Sequence, residues 1–286
     1  MINRSVGVHN GTFHADEVTA CSLLILFDLV DRDKIVRSRD PKVLEGCEYV
    51  CDVGGVYDPS KKRFDHHQVD YVGALSSAGM VWKYLNDQGV VDQKTYDFFN
   101  RSLIWGVDAH DNGRVELELG ICTFSHVISN FVPIVYEASD EVIFAAFLEA
   151  VEFTCGHLER LLKRYQYIEG CRQDVIEAMK PQEKFLFLER SMPWLDLFFD
   201  LGGEKHPALF VVMPSGSHWK LRCIPPNERE KMKVRVPLPE VWAGLMDEEL
   251  KKASKLSGAI FCHKGRFISV WETKEDAMKA LSEVLK

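Results

Sequence analysis

Histidine and aspartate residues cluster four times in the first 113 residues, and three of the clusters directly follow an apolar run. The clusters are HNGTFHADE at 9–17, CDVGG at 51–55, FDHH at 64–67 and GVDAHDNG at 106–113. Imidazole nitrogens and carboxylate oxygens in this mixture are the ligands that divalent transition metals favour. An apolar run that ends in such residues is typical of a buried strand leading into a functional loop. The sequence therefore predicts one metal site assembled from several loop tips.

Several carboxylates in one cleft repel each other unless cations neutralise them. Two cations about 3.5–4 Å apart can share a carboxylate, activate water and clamp a phosphoryl group. Asp52, the one acidic residue at its strand end, is the natural shared ligand. Each residue also has an ordinary explanation: Asp16 as a helix N-cap, Asp52 as a turn cap, and Asp108 or Asp111 as a helix-terminus residue. Four clusters in this order favour metal binding over four separate coincidences.

The composition limits the class of protein. The chain has 286 residues, 46% of them hydrophobic, which is enough for one large or two ordinary domains. Its formal net charge is −8, which argues against a protein that coats nucleic acid through its overall field. Eight cysteines show no paired framework, so we expect a reduced, cytoplasmic protein. The sequence contains no predicted presequence and no apolar segment long enough for a membrane span, so we expect no membrane partner.

Strand and helix patterns alternate in the N-terminal part. Short apolar stretches at 5–8, 35–37 and 48–53 predict strands, and residues 17–30 repeat apolar side chains at helical spacing. A strand, a helix and a second strand in this order predict a parallel crossover. Further helices are expected at 76–86 and 93–105. The fold class is therefore α/β, with a parallel sheet in the N-terminal domain.

Three regions follow from these patterns. Residues 1–130 form the predicted metal-binding catalytic domain, and residues 131–183 form connecting helices. Residues 184–286 form a second, smaller α/β domain, which we expect to bind substrate. No linker rich in proline, glycine or serine marks the boundary.

The order of the motifs resembles one known family. HNGTFHADE, DVGGVYDP, RFDHHQ, SSAG and GVDAHDNG closely resemble the MYG1 (UPF0160) family, which is itself related to the DHH phosphoesterases, and SGAIFCHKGRFIS extends the similarity to the C-terminus. The resemblance implies a DHH-like catalytic domain and a metal-dependent hydrolase, a manganese-type phosphodiesterase or 3′–5′ exoribonuclease. The sequence departs from the DHH pattern where His14 stands in place of the first aspartate, which shifts the expected preference from magnesium towards manganese, zinc or iron.

The resemblance also implies roles for individual residues. His9, His14 and Asp52 would surround one metal, while Asp16, Asp52, His66 and Asp108 would surround the other. His67 would contact the scissile phosphate or protonate the leaving oxygen. Asp65 is expected to support the neighbouring imidazoles, since a metal-bound histidine usually donates its other N–H to a carboxylate. Asp111 is the rival of Asp108, which we prefer because it directly follows the apolar run at 104–107.

The predicted substrate-binding residues are of two kinds. Arg37 and Arg39 alternate at the end of a predicted strand, and Ser76 and Ser77 begin a predicted helix whose free N–H groups would bind phosphate. In the C-terminal domain, residues 217–235 carry a net charge of +4 and include Lys220 and Arg222. A turn at His263 stands where related enzymes have a glycine-rich substrate loop. Solvated charges and ordinary caps remain the alternatives for all of these.

We therefore expect a two-metal hydrolase that uses two manganese ions, with magnesium, zinc or iron as alternatives. The expected substrate is RNA or a short oligonucleotide. A phosphoanhydride or cyclic-dinucleotide hydrolase is one alternative, and a non-catalytic, metal-stabilised RNA-binding protein is another. Amide hydrolysis is disfavoured because the sequence lacks an HExxH helix. The oligomeric state stays open, with a homodimer as one option.

Overall fold

The protein is described by a computed structural model in which residues 2–116, 118–135 and 137–286 are placed. The chain divides into two compact units, Met1–Tyr165 and Gln166–Lys286. The division falls inside the segment 131–183 that was predicted to connect two domains. In the part of the chain described, no helix combines the length and the apolar character needed to cross a membrane.

The first unit is built on a five-stranded sheet. The strand order is β2-β1-β3-β5-β4, with β4 antiparallel to β5 and all other neighbours parallel. The strands, in chain order, are β1 (Ile2–Val8), β2 (Ile35–Arg37), β3 (Cys47–Cys51), β4 (Tyr57–Asp58) and β5 (Arg63–Phe64). The predicted parallel crossover and the α/β class are therefore confirmed. Parallel strands end at the same edge of a sheet, and this edge carries the first three clusters.

Helices cover this sheet and form the hydrophobic core together with it. They are α1 (Ala15–Leu26), α2 (Pro41–Glu45), α3 (Ser77–Asp87), α4 (Gln93–Phe99), α5 (Trp105–Asp111), α6 (Phe124–Ser129) and the long α7 (Asp140–Gly170). Leu23 of α1, Trp82 of α3 and Phe99 of α4 are fully buried together. Burying a large apolar side chain contributes roughly 1.5–3 kcal/mol, so these contacts fix α1 and α3 behind the site.

A π-helical segment joins α4 to α5. Asn100–Ile104 adopts this conformation, and the helix then continues through Asp111. The prediction that the helix ends at residue 105 is therefore wrong at its C-terminus. Gly106 did not stop the helix, because Leu103, Ile104 and Val107 are buried and hold the following turn against the core. Asp108 and Asp111 consequently lie one turn apart on α5.

The second unit contains another five-stranded sheet, in the order β6-β7-β8-β10-β9, with β6 parallel to β7 and the other pairs antiparallel. Its elements are α8 (Arg172–Met179), β6 (Phe185–Phe187), α9 (Leu195–Asp200), β7 (Phe210–Ser215), β8 (His218–Cys223), α10 (Asp247–Ser254), β9 (Ala259–Cys262), β10 (Ile268–Trp271) and α11 (Lys274–Val284). Buried clusters that use alternate residues of β7 cover both faces of this sheet. The second, smaller α/β domain is thus present.

Candidate metal centre

His9 and Asp52 meet at the ends of the two central parallel strands. His9 follows β1 and Asp52 follows β3. The Nε2 atom of His9 lies 3.3 Å from Oδ2 of Asp52 and 3.0 Å from Oε1 of Glu17. All three side chains are buried. An imidazole that lies between two carboxylates is stable only if a proton or a metal cation offsets their negative charge.

The backbone of Asp52 is strained. Its φ is +57°, a left-handed conformation that an L-residue adopts at an energetic cost and that aspartate and asparagine tolerate better than most. Its N–H donates to the Phe64 carbonyl oxygen at 2.9 Å, which ties the residue to β5. Such strain persists where the surrounding structure demands a particular side-chain direction. Here it turns the carboxylate towards both His9 and His66.

A first set of potential metal ligands, called here the first donor group, contains a residue that the sequence pattern did not single out. His9, His14, Glu17 and Asp52 each offer one ligand atom, and these atoms lie within 4.8 Å of one another. Glu17 is fully buried, and both its carboxylate oxygens accept from the His14 N–H at 3.1 Å. Its position three residues after the helix N-cap matches the capping-box pattern. That pattern was the available signal.

The three residues of the Asp65-His66-His67 run have different neighbours. Oδ2 of Asp65 accepts from the Gly55 N–H at 2.5 Å, and its Oδ1 lies 2.9 Å from Nδ1 of His67. His66 points inward, whereas the His67 side chain is 63% exposed. Asp52, His66 and His67 form a second donor group. The structure thus brings Asp65 against His67, with His67 open to solvent at the cleft.

Asp16 and Asp108 both bind the N-terminus of α3. Asp16 accepts from the Ser77 and Ala78 N–H groups at 2.9 and 2.6 Å. Asp108 accepts from the Ser76 and Gly79 N–H groups at 3.1 and 3.0 Å. These bonds satisfy the N–H groups that a helix start leaves free. A Cβ at Gly79 would collide with the Asp108 carboxylate, so glycine is required for this close approach.

This arrangement revises the proposed role of Ser76 and Ser77. The phosphate-binding prediction needed free N–H groups at the start of α3, but buried carboxylates already accept from them. The Ser76 hydroxyl contacts Asp16 and Asp108 at 2.6 and 2.7 Å, and the Ser77 hydroxyl donates to the Phe64 carbonyl oxygen. Both serines are fully buried. They position the acidic residues and do not face substrate.

Asp111 contacts His66, although the sequence favours Asp108 as the metal ligand. Oδ2 of Asp111 lies 3.1 Å from Nε2 of His66, and Asp16, His66 and Asp111 form a third donor group. Asp108 is directed at α3 instead, because the helix continues past residue 105 and places the two acids one turn apart. We therefore revise the proposed ligand from Asp108 to Asp111.

The two N-terminal arginines have different environments. Arg37 donates to the His9 carbonyl oxygen at 3.1 Å and to the Gly11 carbonyl oxygen at 2.7 Å, and its guanidinium lies 4.7 Å from the Phe147 ring centre. The Arg37 guanidinium is therefore bound to the loop that carries His9. We revise the proposed role of Arg37 from phosphate binding to loop positioning. Arg39 is exposed and lines the cleft.

The cleft itself is a cavity of about 990 Å³. It contains members of every donor group, and Arg39, His110, Ser125 and Ser129 also line it. Ligand sites typically measure roughly 300–1,000 Å³. The cavity therefore has room for a nucleotide-sized molecule beside the metal-ligand side chains.

Two ring nitrogens at this site have strongly altered proton affinity. Burial opposes a charge on His9, but Asp52 and Glu17 outweigh it and raise the pKa of this imidazole to about 10. Burial likewise opposes a charge on His66, and Asp111 and Asp52 raise its pKa to about 10. Burial tends to raise the pKa of Asp52, but His66 and His9 hold it well below its ordinary value. Burial raises the pKa of Asp108 to about 6.

The residues present fit a bound divalent metal. Oδ1 of Asp52 and Nε2 of His66 are buried and make no hydrogen bond within residues 2–116, 118–135 and 137–286, although they lie 3.5 Å apart. Buried polar atoms without a partner are costly. A cation between them would satisfy both, and mixed nitrogen and carboxylate ligands suit manganese, zinc or iron. Asp52 and His66 each belong to two of the three donor groups.

The raised histidine pKa values predict how the metal-free protein responds to pH. Their folded pKa of about 10 exceeds the ordinary 6.5, so the stabilisation is complete below pH 6.5 and is lost as pH rises through 10. We expect the melting temperature of chelator-treated protein to fall between pH 6.5 and 10. Thermal unfolding of wild type and of a His9→Gln, His66→Gln double variant measures this. Equal slopes for the two proteins would contradict the expectation.

In the second unit, Lys220 and Arg222 line a cavity of about 300 Å³. They alternate along β8, opposite Met213 and Val211 of β7. Arg222 lies 6.0 Å from the Trp194 ring centre, and burial, aided by Arg222, lowers the pKa of Lys220. Neither forms an ion pair with a described residue, whereas neighbouring Lys231 binds Asp196 at 2.6 Å. Asp196 also lines this cavity but is paired with Lys231, so among the described residues Lys220 and Arg222 keep a positive charge without an ion-pair partner.

His263 lies in the turn after β9. Its Nδ1 accepts from the Gly265 N–H at 2.9 Å, and its ring centre lies 4.4 Å from that of Phe267. These contacts shape the turn around the imidazole. Its contact with substrate stays a prediction.

Known proteins resemble this chain over nearly its whole length. A family model described as "Uncharacterised protein family (UPF0160)" and called MYG1_exonuc matches residues 5–285. The MYG1 protein of Chlamydia pneumoniae is 53% identical over 285 residues, which cover 100% of this chain and 98% of that protein. The MYG1 exonuclease of Homo sapiens is 30% identical over 315 residues, covering 96% and 83%.

Solved structures of the exonuclease RecJ align with nearly the whole chain at low sequence identity. A crystal structure of the exonuclease RecJ bound to manganese aligns with 99% of this chain and 89% of that chain, at 12% identity and a TM-score of 0.29. RecJ from Thermus thermophilus in complex with Mn²⁺ aligns with 99% and 51%, at 13% identity and a TM-score of 0.27.

Proposed function

The chain belongs to the MYG1 family, UPF0160, and from this premise we propose that it is a metal-dependent nuclease. More narrowly, we propose a 3′–5′ exoribonuclease that uses two manganese ions. The observation that carries the proposal is a pair of buried atoms, Oδ1 of Asp52 and Nε2 of His66, which make no hydrogen bond with any described residue and lie where three donor groups meet. Relatives named "MYG1 exonuclease" support the reaction class.

The side chains would hold the metals in two sets. His9, His14, Glu17 and Asp52 would hold one ion, and Asp16, Asp52, His66 and Asp111 the other. Two ions at such a site supply an activated water and offset the charge of a phosphate group. Asp16 also accepts hydrogen bonds from the N-terminus of α3, so this helix fixes the direction of its carboxylate.

His67 is the residue that we propose acts on substrate. Its Nδ1 edge lies 2.9 Å from Asp65 and 3.3 Å from Asp52, and its ring lines the open cleft. A carboxylate at Nδ1 fixes the tautomer and leaves Nε2 for substrate. The imidazole would bind the scissile phosphate or give a proton to the leaving oxygen. Arg39, exposed at the cleft, would bind a second phosphate.

Purified protein incubated with end-labelled single-stranded RNA tests the proposal. We expect mononucleotides to accumulate from one end when manganese is present and no cleavage after chelation. Tight RNA binding without hydrolysis in manganese, magnesium or zinc would instead support the non-catalytic alternative. Hydrolysis of cyclic dinucleotides or phosphoanhydrides in preference to RNA would support a small-molecule hydrolase.

We also propose that the cavity at Lys220 and Arg222 binds backbone phosphates. Two half-buried cations without a carboxylate partner suit an anion. A Lys220→Gln, Arg222→Gln double variant should bind RNA more weakly, with a salt dependence, in log–log form, that is shallower by roughly 0.7 per lost contact. Fluorescence anisotropy across a salt series measures this slope. The control is Lys251→Gln, which removes a cation that is paired with Glu248 and lies outside this cavity; an unchanged slope in the double variant would contradict the role.

A further inference from the structure

Three residues that line the metal cleft are not predicted metal ligands. They are His110, Ser125 and Ser129, and we call these three residues the α6 wall. Ser125 is only 9% exposed, yet its hydroxyl forms no hydrogen bond with any residue that the structure describes. The Ser129 hydroxyl, in contrast, donates to the His126 carbonyl oxygen at 2.8 Å. The α6 wall therefore presents a hydroxyl that is open to the cleft and has no hydrogen-bond partner among the described residues.

The α6 wall is held in place from behind. Thr123 caps α6, and its Oγ1 accepts from the His126 N–H at 3.3 Å. The same oxygen lies 3.4 Å from Nδ1 of His110 and 3.1 Å from Nδ1 of His126. The two rings pack edge to face with centres 5.0 Å apart. The Nδ1 edge of His110 is thus occupied, which leaves its Nε2 for a ligand in the cleft.

The chemistry of the α6 wall suits a neutral ligand group. Hydroxyls and an imidazole both donate and accept hydrogen bonds, and the α6 wall contains no lysine or arginine. A phosphate would find its cations elsewhere, at Arg39 and at the metal-ligand side chains. A sugar hydroxyl, which is both donor and acceptor, matches the α6 wall better.

The α6 wall shares its cavity with the proposed metal site. His110 directly precedes Asp111, whose Oδ2 lies 3.1 Å from Nε2 of His66. The α6 wall and the donor groups line the same cavity of about 990 Å³. Resting on the nuclease function proposed above, we infer that the α6 wall binds the ribose 2′-hydroxyl of the nucleotide being released and so selects RNA over DNA. Sites built to bond a substrate hydroxyl discriminate strongly against the analogue that lacks it.

Matched short oligonucleotides, all-ribo and all-deoxy, test the inference. We expect wild type with manganese to cleave the ribo substrate with the higher kcat/KM. Ser125→Ala should lower the kcat/KM for the ribo substrate roughly three- to tenfold, the range for one lost hydrogen bond, and leave that for the deoxy substrate unchanged. Ser282→Ala, an exposed serine on α11, is the control variant. An equal loss on both substrates would overturn the inference while leaving the nuclease function intact.

Two further measurements do not depend on that variant or on turnover. Wild type should cleave a 2′-O-methyl oligonucleotide more slowly than RNA, because the methyl group removes the donor. By calorimetry, wild type should bind a ribonucleoside 5′-monophosphate more tightly than its 2′-deoxy counterpart. Equal affinity for the two monophosphates, or equal cleavage of all three oligonucleotides, would refute the α6 wall as the sugar site. Absence of cleavage together with a ribo preference in binding would count against the nuclease function alone.

Discussion

Asp52→Asn is expected to lower the kcat/KM for RNA cleavage on the order of 10³-fold or more, because this carboxylate belongs to both central donor groups. Asparagine is the appropriate replacement. It tolerates the left-handed backbone that residue 52 adopts at φ +57°, so the fold should persist. The measurements are steady-state cleavage of labelled RNA and manganese binding by calorimetry. Thermal unfolding checks that the variant is folded.

Asp87→Asn serves as the matched control for this experiment. Asp87 is an exposed carboxylate at the end of α3 that pairs with Lys83 at 2.6 Å, away from the cleft. We expect that variant to cleave RNA and to bind manganese like wild type. Retention of more than about a tenth of wild-type activity in Asp52→Asn would be incompatible with a shared ligand, since loss of even one stabilising group typically costs about 10²-fold.

The second large effect distinguishes Asp111 from Asp108, which both lie on α5. Asp111→Ala should remove one of two bound manganese ions and reduce RNA cleavage by roughly 10²–10³-fold. It also removes a carboxylate that stabilises charged His66, so at neutral pH the metal-free variant should melt below wild type. Asp108→Ala should keep both manganese ions and act on stability alone. It leaves the Ser76 and Gly79 N–H groups without acceptors, at a cost of about 1–3 kcal/mol in unfolding free energy.

The metal stoichiometry decides between these assignments. Calorimetric titration with manganese gives the number of ions for each variant, and chemical denaturation gives the stability. The two variants carry the same chemical change three residues apart, so each is the control for the other. One bound ion in Asp108→Ala together with two in Asp111→Ala would restore the sequence-based preference for Asp108.

The sheet and its loop tips could be predicted because their signals are local. An apolar run followed by His9 or Asp52 identifies a strand end, and parallel strands carry such ends to one edge. The parallel crossover followed from the alternation of strand and helix patterns. Local patterns also indicated that Asp65 would accompany the adjacent histidines, and the structure places it 2.9 Å from His67.

The directions of individual side chains could not be predicted in the same way. Whether Asp108 or Asp111 faces His66 depends on where the helix ends, and tertiary burial of Leu103 and Ile104 decides that. Arg37 and Ser76 look available for phosphate in the sequence, yet each is occupied by a backbone or carboxylate group from a distant segment. Glu17 is the opposite case. Its position in the sequence indicates a helix cap, yet in the structure its buried carboxylate is also a potential metal ligand.

The π-helical turn at Asn100–Ile104 also matters for how sequences of this kind are aligned. A π turn amounts to one residue inserted into an α-helix, and each α-helical residue advances the helix by about 100°. The wider π turn absorbs this extra residue, so a relative that lacks one residue here would form an ordinary α-helical turn and its equivalent of Asp111 would still face the cleft. A one-residue gap at this point of an alignment therefore predicts loss of the π turn with the metal ligands kept in place.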